Sequence, residues 1–350
     1  MNSQCVTVPH LGGPQVLALD TRAVVPAADE AVVRVAAAGV SFGDVLLRAG
    51  VIPGGPRPPF VPGFDVVGDV ELVGSRVTGL RPGQRVVALL HSGGYAERVC
   101  VPAGRLVPIP DRLAPVAVSA AALNYFVAHQ MLHRIAKVRT GARVLVHGAA
   151  GGVGTAVLQL AARAGVECYG TCSAAKRDVV RGFGGHPIDY RAEDFVSVLR
   201  SAPVPGVDVV LDAIGATHFW RSYRVLRRGG RLIGYGQSRA FRDGRADRLA
   251  GAVGFLGGIM LPKLWPDGRS TVFYNAWSLE KSQPHAYAED LAEVVRLLDA
   301  GEIAPVVART MPLREAAQAH RLLERSAVVG KIVLLPGDPP RDLSGDKEQT

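Results

Sequence analysis

The run best suited to chemistry in this 350-residue chain is Gly148-Ala149-Ala150-Gly151-Gly152-Val153-Gly154. It follows Arg143-Val144-Leu145-Val146-His147, which has strand character, and leads into Val153 to Ala164, which reads as a helix. Small residues at that junction let backbone N–H groups approach a pyrophosphate, and the helix N-terminus adds a favourable dipole. A surface turn can carry the same letters, but the strand-to-helix setting is the one a dinucleotide site requires. The expected cofactor contacts here are Ala150, Gly151, Gly152, Val153 and Gly154.

Which dinucleotide fits depends on the end of the next strand, Glu167 to Thr171, where an NAD site presents a carboxylate to the ribose hydroxyls. Tyr169-Gly170-Thr171-Cys172-Ser173 carries no acid there, Glu167 stands at the strand's beginning, and Lys176 and Arg177 follow. An uncharged strand end followed by cations suits the 2′-phosphate of NADPH, because cation-to-phosphate hydrogen bonds are charge-assisted. The alternative is that both cations only solvate a helix face.

The elements around these residues change character along the chain. From Val6 to about Pro115, short β-rich runs such as Ala31 to Val35, Val66 to Val73 and Arg85 to Leu90 alternate with Gly- and Pro-bearing turns, as in a barrel or sandwich. Helix Ala117 to Ala136 is followed by strand Arg143 to His147, helix Val153 to Ala164, strand Glu167 to Thr171, helix Ala174 to Phe183, strand Val207 to Leu211, helix His218 to Leu226 and strand Arg231 to Tyr235. That alternation predicts an α/β fold, a doubly wound parallel sheet with helices on both faces. Helices at Tyr287 to Ala300 and Leu313 to Glu324 and a strand at Lys331 to Leu335 complete the chain, before a polar stretch from Pro336 to Thr350 that reads as a disordered tail.

Composition narrows the class. A net charge of +9 favours anionic partners without choosing among phosphate cofactor, membrane surface and nucleic acid, and the Arg-rich run from Arg221 to Arg248 reads first as a solvated surface. Four scattered cysteines, Cys5, Cys100, Cys168 and Cys172, form no disulfide framework, so a reducing compartment, the cytoplasm by default, is expected. No run reaches the roughly 18 uninterrupted apolar residues of a membrane span. Ala250 to Leu264 comes nearest and is read as a substrate lid or dimer contact ahead of a membrane contact.

The order of β-rich segment, glycine loop and C-terminal helices resembles the quinone oxidoreductase branch of the medium-chain dehydrogenase/reductase superfamily, which includes zeta-crystallin. The resemblance rests on Ala38 to Asp44, Pro62-Gly63-Phe64-Asp65, Gly94-Tyr95-Ala96-Glu97, the glycine loop and Pro187-Ile188-Asp189-Tyr190. Within the branch, Tyr169 to Lys176 and His186 to Tyr190 are similar to the homologues of a synaptic vesicle membrane protein. It implies a GroES-like catalytic domain from residues 1–120 and 275–336, a Rossmann domain at 121–274 and a homodimer. It also implies that Ser173, Lys176 and Tyr190 surround the 2′-phosphate, and that Ile214, Gly215, Tyr235 and Gly236 line the nicotinamide half of the cleft. Zinc relatives carry a Cys near Ser41 and Gly-His-Glu where this chain has Gly63-Phe64-Asp65, so no metal is expected. Ser41 replaces a usual Asn, Leu46 and Ile52 stand near positions where tyrosines are frequent, and Val127 replaces a Thr, which makes the expected pocket apolar.

The implied reaction is hydride transfer from NADPH to a quinone or to the β-carbon of an enone, with the protein positioning, desolvating and polarising. Ser41, Asp44 and Tyr125 are the candidate catalytic groups, although Asp44 could serve only as a helix cap and Tyr125 only as packing. The partner expected is a small conjugated carbonyl compound or quinone, with enoyl reduction of a polyketide-like substrate as an alternative. No nucleic acid partner is expected. From a different class, a non-catalytic NADPH-binding module docking on membrane or RNA would fit the same charge.

Overall fold

The computed structural model describes residues 1–242 and 245–337; Asp243 of the Arg-rich run and residues 338–350 of the expected tail lie outside the described residues. A six-stranded parallel sheet has the spatial order His186–Asp189, Glu167–Cys172, Arg143–His147, Val207–Asp212, Leu226–Gly234, Ser270–Phe273. Numbered along the chain this is 3-2-1-4-5-6, so the winding reverses between Arg143–His147 and Val207–Asp212. A crevice opens at the carboxyl ends of the strands at such a point. The glycine loop and residues 212–215 both end there.

The central strand shows why its sequence gives this element. Val144 and Val146 pack with Val157 and Leu160 of helix Gly152–Arg163, while Leu145 joins Phe195, Leu199 and Phe219 on the opposite face. Successive side chains of a strand point to opposite faces, and both faces here are roofed, so an unbroken apolar run results.

A second sheet of seven strands is centred on Glu30–Val40, which pairs with Asp65–Val73, Arg98–Pro102 and Lys331–Leu335. Val307–Pro312 runs parallel beside Lys331–Leu335, so strands more than 250 residues apart share one sheet. Helix Pro115–His129 lies between the two sheets, and most of its residues are buried. Its Ala, Val, Leu and aromatic residues run round its circumference, as burial on several sides demands.

The structure departs from the expected elements in several places. The helix expected to continue to Ala136 opens after His129 into a π turn over Gln130–Ile135, where Gln130 and Arg134 converge on Asp290 at 2.8 and 2.7 Å. The Ala174 to Phe183 segment is a 3-10 turn followed by a helix of only six residues, Arg177–Gly182. Strands His186–Asp189, Ser270–Phe273 and Val307–Pro312 and helices Phe195–Arg200 and Arg248–Phe255 were not anticipated. The strands are short and take their conformation from the neighbours they pair with, which local pattern does not reveal.

Candidate functional site

Helix Gly152–Arg163 begins without a side-chain cap, so its first-turn amides have no acceptor there among the described residues. Gly148 has a left-handed backbone at φ 72°, whereas Gly152 and Gly154 are required for close packing. A Cβ on Gly154 would lie 2.4 Å from the Gly148 carbonyl oxygen, and one on Gly152 would lie 2.4 Å from Asn124 Nδ2. Asn124 of helix Pro115–His129, absent from the expected site, thus packs closely against the loop. Gly330 donates its amide to the Ala150 carbonyl at 3.1 Å, which joins the loop to the segment entering the last strand.

A buried polar network supports the loop from below. Thr171 Oγ1 accepts the Gly148 amide at 3.2 Å and lies 3.1 Å from His147 Nδ1, whose Nε2 lies 3.1 Å from Ser222 Oγ. Ser222 and His218 reach Asp212 Oδ2 at 2.7 and 2.8 Å, while Asp212 Oδ1 accepts the amides of Ile214 and Gly215 at 2.7 and 3.2 Å. Burial opposes ionisation of Asp212, but the hydrogen bond from His218 and the positive potential of both imidazoles outweigh it and hold the carboxyl at about 2. The ligand atoms of His147, Asp212 and His218 lie within 4.8 Å of one another, yet all are already engaged with each other, Thr171 or Ser222. The network reads as a rigid support for two strand-end turns.

Ile214, Gly215, Tyr235 and Gly236 come together. The Tyr235 amide bonds the Asp212 carbonyl at 2.9 Å, Ser238 bonds Ala213 at 3.0 Å, and a Cβ on Gly236 would lie 2.8 Å from the Ala213 oxygen. At the other end of the crevice, the Tyr190 amide bonds the Cys172 carbonyl at 3.2 Å, placing half-exposed Tyr190 beside Ser173. Lys176 and Arg177 differ from the expectation of two cations free for phosphate. Lys176 Nζ donates to the carbonyls of Ser326 and Val328 at 2.7 and 2.8 Å, and Arg177 is paired with Glu193. Arg191, one residue past the Pro187–Tyr190 motif, was missed; its guanidinium lies 5.7 Å from the Tyr190 ring centre.

The three catalytic candidates separate. Asp44 is fully buried: Oδ2 accepts from the Ser41 amide and hydroxyl at 2.8 Å each, and Oδ1 accepts the Gly63 amide at 2.8 Å. With the Ser41 hydroxyl accepting the Asp44 amide, this is a capping box, so Asp44 holds the Gly63 turn and has no face toward the crevice. Burial raises its pKa to about 6 against those hydrogen bonds and the charge of Lys331. Tyr125 is 1 % exposed, its hydroxyl closes no hydrogen bond, and its neighbour is Gln159, two helical turns beyond Gly152. Burial pushes its phenol up. Ser41 alone keeps some exposure.

Apolar side chains bound the rest of the crevice. Phe64, Leu47 and Phe60 cluster with Ile52, Leu123 and Trp277, and Phe42 meets Phe241 edge-on at 6.3 Å. Phe241 follows strand Leu226–Gly234 of the parallel sheet and Phe42 follows strand Glu30–Val40 of the second sheet, so the pair closes one side. Such a site can hold a planar apolar compound beside a dinucleotide while excluding water. Neither Ser41 nor Phe64 is a nitrogen or sulfur donor for zinc.

Comparison with known proteins agrees with this architecture. An alcohol dehydrogenase GroES-like domain model matches residues 27–111 and a zinc-binding dehydrogenase model matches residues 184–334. The chain is 30 % identical over 341 residues to the synaptic vesicle membrane protein VAT-1 homolog of Rattus norvegicus, covering 95 % of this chain and 84 % of that protein. It is 30 % identical over 339 residues to the quinone oxidoreductase of the same organism, covering 95 % of this chain and 97 % of that protein. The crystal structure of Escherichia coli quinone oxidoreductase complexed with NADPH superposes with a TM-score of 0.84 at 28 % identity, over 95 % of this chain and all of that one. Sheet order, loop geometry and these similarities together place the chain in the quinone oxidoreductase-like branch of the medium-chain dehydrogenase/reductase superfamily.

Proposed function

We propose that the chain is a zinc-independent, NADPH-dependent reductase that transfers hydride to a quinone or to the β-carbon of an enone. The observation that carries this reading is the uncapped helix N-terminus at Gly152, facing the crevice beside a second strand that ends in Cys172 and Ser173 rather than in a carboxylate. The residues fit the dinucleotide: Gly152 and Gly154 are packed too closely for a side chain, which leaves the loop's backbone as the contacting surface. Ala150 to Gly154 would hold the pyrophosphate, Ser173 and Tyr190 the adenosine end, and Ile214, Gly215, Tyr235 and Gly236 the nicotinamide end.

NADPH supplies the hydride when bound. The chain's own part is to orient and to desolvate: the Phe64, Leu123 and Trp277 wall excludes water, and the network through Asp212 fixes the 214–215 turn. Ser41 is the one candidate hydroxyl left at the crevice, and its proton is engaged by Asp44, so solvent serves as the proton source in this reading.

The exposed apolar residues Leu249, Val253, Leu256, Leu261, Leu264 and Trp265 lie next to the edge strand Ser270–Phe273, and we read this face as the homodimer contact. Among the described residues no helix is long and apolar enough to cross a membrane. The test is NADPH oxidation with a panel of quinones and enones, alongside titration with NADPH and NADH. Turnover with NADPH preferred supports the reading. Tight NADPH binding without turnover of any compound in the panel would leave a binding module instead.

A further inference from the structure

We infer that the substrate carries an anionic group, a carboxylate or a phosphate monoester, and that Lys281 and His91 hold that group in a pocket beside Trp277. The inference rests on the reductase reading above and deepens it by naming the class of substrate.

The pocket has a volume of about 250 Å³ and is lined by His91, Arg105, Trp277, Glu280 and Lys281. Trp277 belongs to two environments. Its ring packs on the apolar cluster that bounds the crevice, 6.4 Å from the Phe64 ring centre, and it also stacks on His91 at 4.2 Å with an interplanar angle of 19°. A chain leaving a planar body held against Phe64 therefore reaches the polar groups by passing one indole ring. Glu280 and Lys281 stand on the same short helix as Trp277, Ala276–Ser282, so the element that walls the crevice also sets the charge of the pocket.

Arg105 is already committed. Its Nη1 donates to the Leu89 carbonyl at 3.2 Å, and its Nη2 donates to Glu280 at 2.6 Å and to His91 Nε2 at 3.1 Å. A guanidinium cannot accept, so Nε2 is the acceptor and the ring's proton sits on Nδ1. Partial desolvation and the charge of Arg105 hold His91 below its ordinary pKa, which keeps it a neutral donor. Among the described residues His91 Nδ1 has no hydrogen-bond partner, and Lys281 makes no hydrogen bond or ion pair. Arg105 and Glu280 cancel, so the pocket keeps the charge of Lys281. One ammonium and one neutral N–H lining the same pocket suit a charged oxygen acceptor, whose hydrogen bonds are charge-assisted, whereas a neutral quinone offers Lys281 nothing.

The experiment uses naphthoquinones bearing alkyl chains of graded length that end in a carboxylate, a phosphate monoester or a methyl ester. It measures KM, kcat and quenching of tryptophan fluorescence in the full chain, Lys281→Met and Glu280→Gln. At the chain length that spans Trp277, an anionic compound should have a KM at least roughly tenfold below that of its ester, and added salt should shrink the difference. The better of the two anions identifies the group. Lys281→Met should bring the anionic KM to within about threefold of the ester's. Glu280→Gln, which releases Arg105, should lower the anionic KM further, whereas simple damage to the helix would raise it. Equal KM values for anion and ester at every length, or a preference that survives in Lys281→Met, overturn the inference. Esters that are not reduced at all fail the reductase reading itself. In that case salt-sensitive quenching by the anionic compounds, lost in Lys281→Met, still supports the anion pocket, and equal quenching by anion and ester overturns it.

Discussion

Lys331 Nζ lies 2.8 Å from Asp65 Oδ1, and both side chains are almost wholly buried. The pair joins the last strand to the Gly63-Phe64-Asp65 turn. Asp65 Oδ2 also accepts from the Gly39 amide at 2.9 Å and the Ser119 hydroxyl at 3.0 Å, so one carboxylate holds two strands and the helix between the sheets. Removing only one partner leaves an uncompensated buried charge, which costs about 3–5 kcal/mol. Lys331→Met should therefore lose about that much stability in urea titrations, and Asp65→Asn combined with Lys331→Met should lose less. Equal losses in the single and double variants would show that the charge pairing is not what matters.

The glycine loop predicts a graded series. A Cβ at Gly154 meets backbone atoms of Gly148 and Ala149 at 2.4 to 2.6 Å, which cannot yield without displacing the loop, whereas one at Gly151 meets only the Gly148 oxygen at 3.3 Å. Gly154→Ala should cost about 1–3 kcal/mol in stability and bind NADPH at least roughly tenfold more weakly, while Gly151→Ala stays within about threefold. Gly152→Ala meets the end of Asn124, so pairing it with Asn124→Ala should restore most of its loss. Melting and coenzyme titration of the four proteins check the order.

What the sequence makes legible follows from range. Strand Arg143–His147 has the expected bounds because its five residues are buried on both faces and carry that fact in their composition. The pairing of Lys176 is illegible because Ser326 is 150 residues further on. Tyr125 misleads for another reason: helix Pro115–His129 is apolar nearly all round, so periodicity cannot say which residue faces the loop and which faces Gln159. Ser270-Thr271-Val272-Phe273 gains its strand identity only from Leu226–Gly234 beside it.

Two buried histidines set a response to acid. Burial draws His147 down to about 3, and burial with the neighbouring Arg48 does the same to His320. Arg48 donates to His320 Nδ1 at 2.9 Å, so the neutral ring's proton sits on Nε2, toward the Tyr95 hydroxyl. Unfolded imidazoles take up a proton below about pH 6.5 and these folded ones do not until near 3, so stability is full above about 6.5 and falls as the pH drops. Asp44, raised to about 6, works the other way, gaining a proton in the folded state before the unfolded one does. Between about pH 7.5 and 5 the two histidines remove about 4 kcal/mol and Asp44 returns about 1 kcal/mol. Urea titrations should show that net loss, a shallower slope in His320→Gln and a steeper one in Asp44→Asn; a flat profile in the parent would count against neutral burial.

The exposed apolar face makes the last prediction. Leu249 and Leu264 are 75 % and 78 % exposed, and Leu256 and Trp265 at least half exposed, within one stretch that precedes strand Ser270–Phe273. That strand pairs on one side only among the described residues. An open edge beside an apolar face invites a two-fold partner, since the same strand of a second copy can pair with it antiparallel while the two apolar faces cover each other. The protein should sediment at about twice 36.9 kDa, and Leu256→Glu, which sets a charge in the middle of the face, should shift it to the monomer with its coenzyme affinity unchanged. Sedimentation of the parent as a monomer across micromolar concentrations would remove the dimer and leave the face to close over the crevice as a lid.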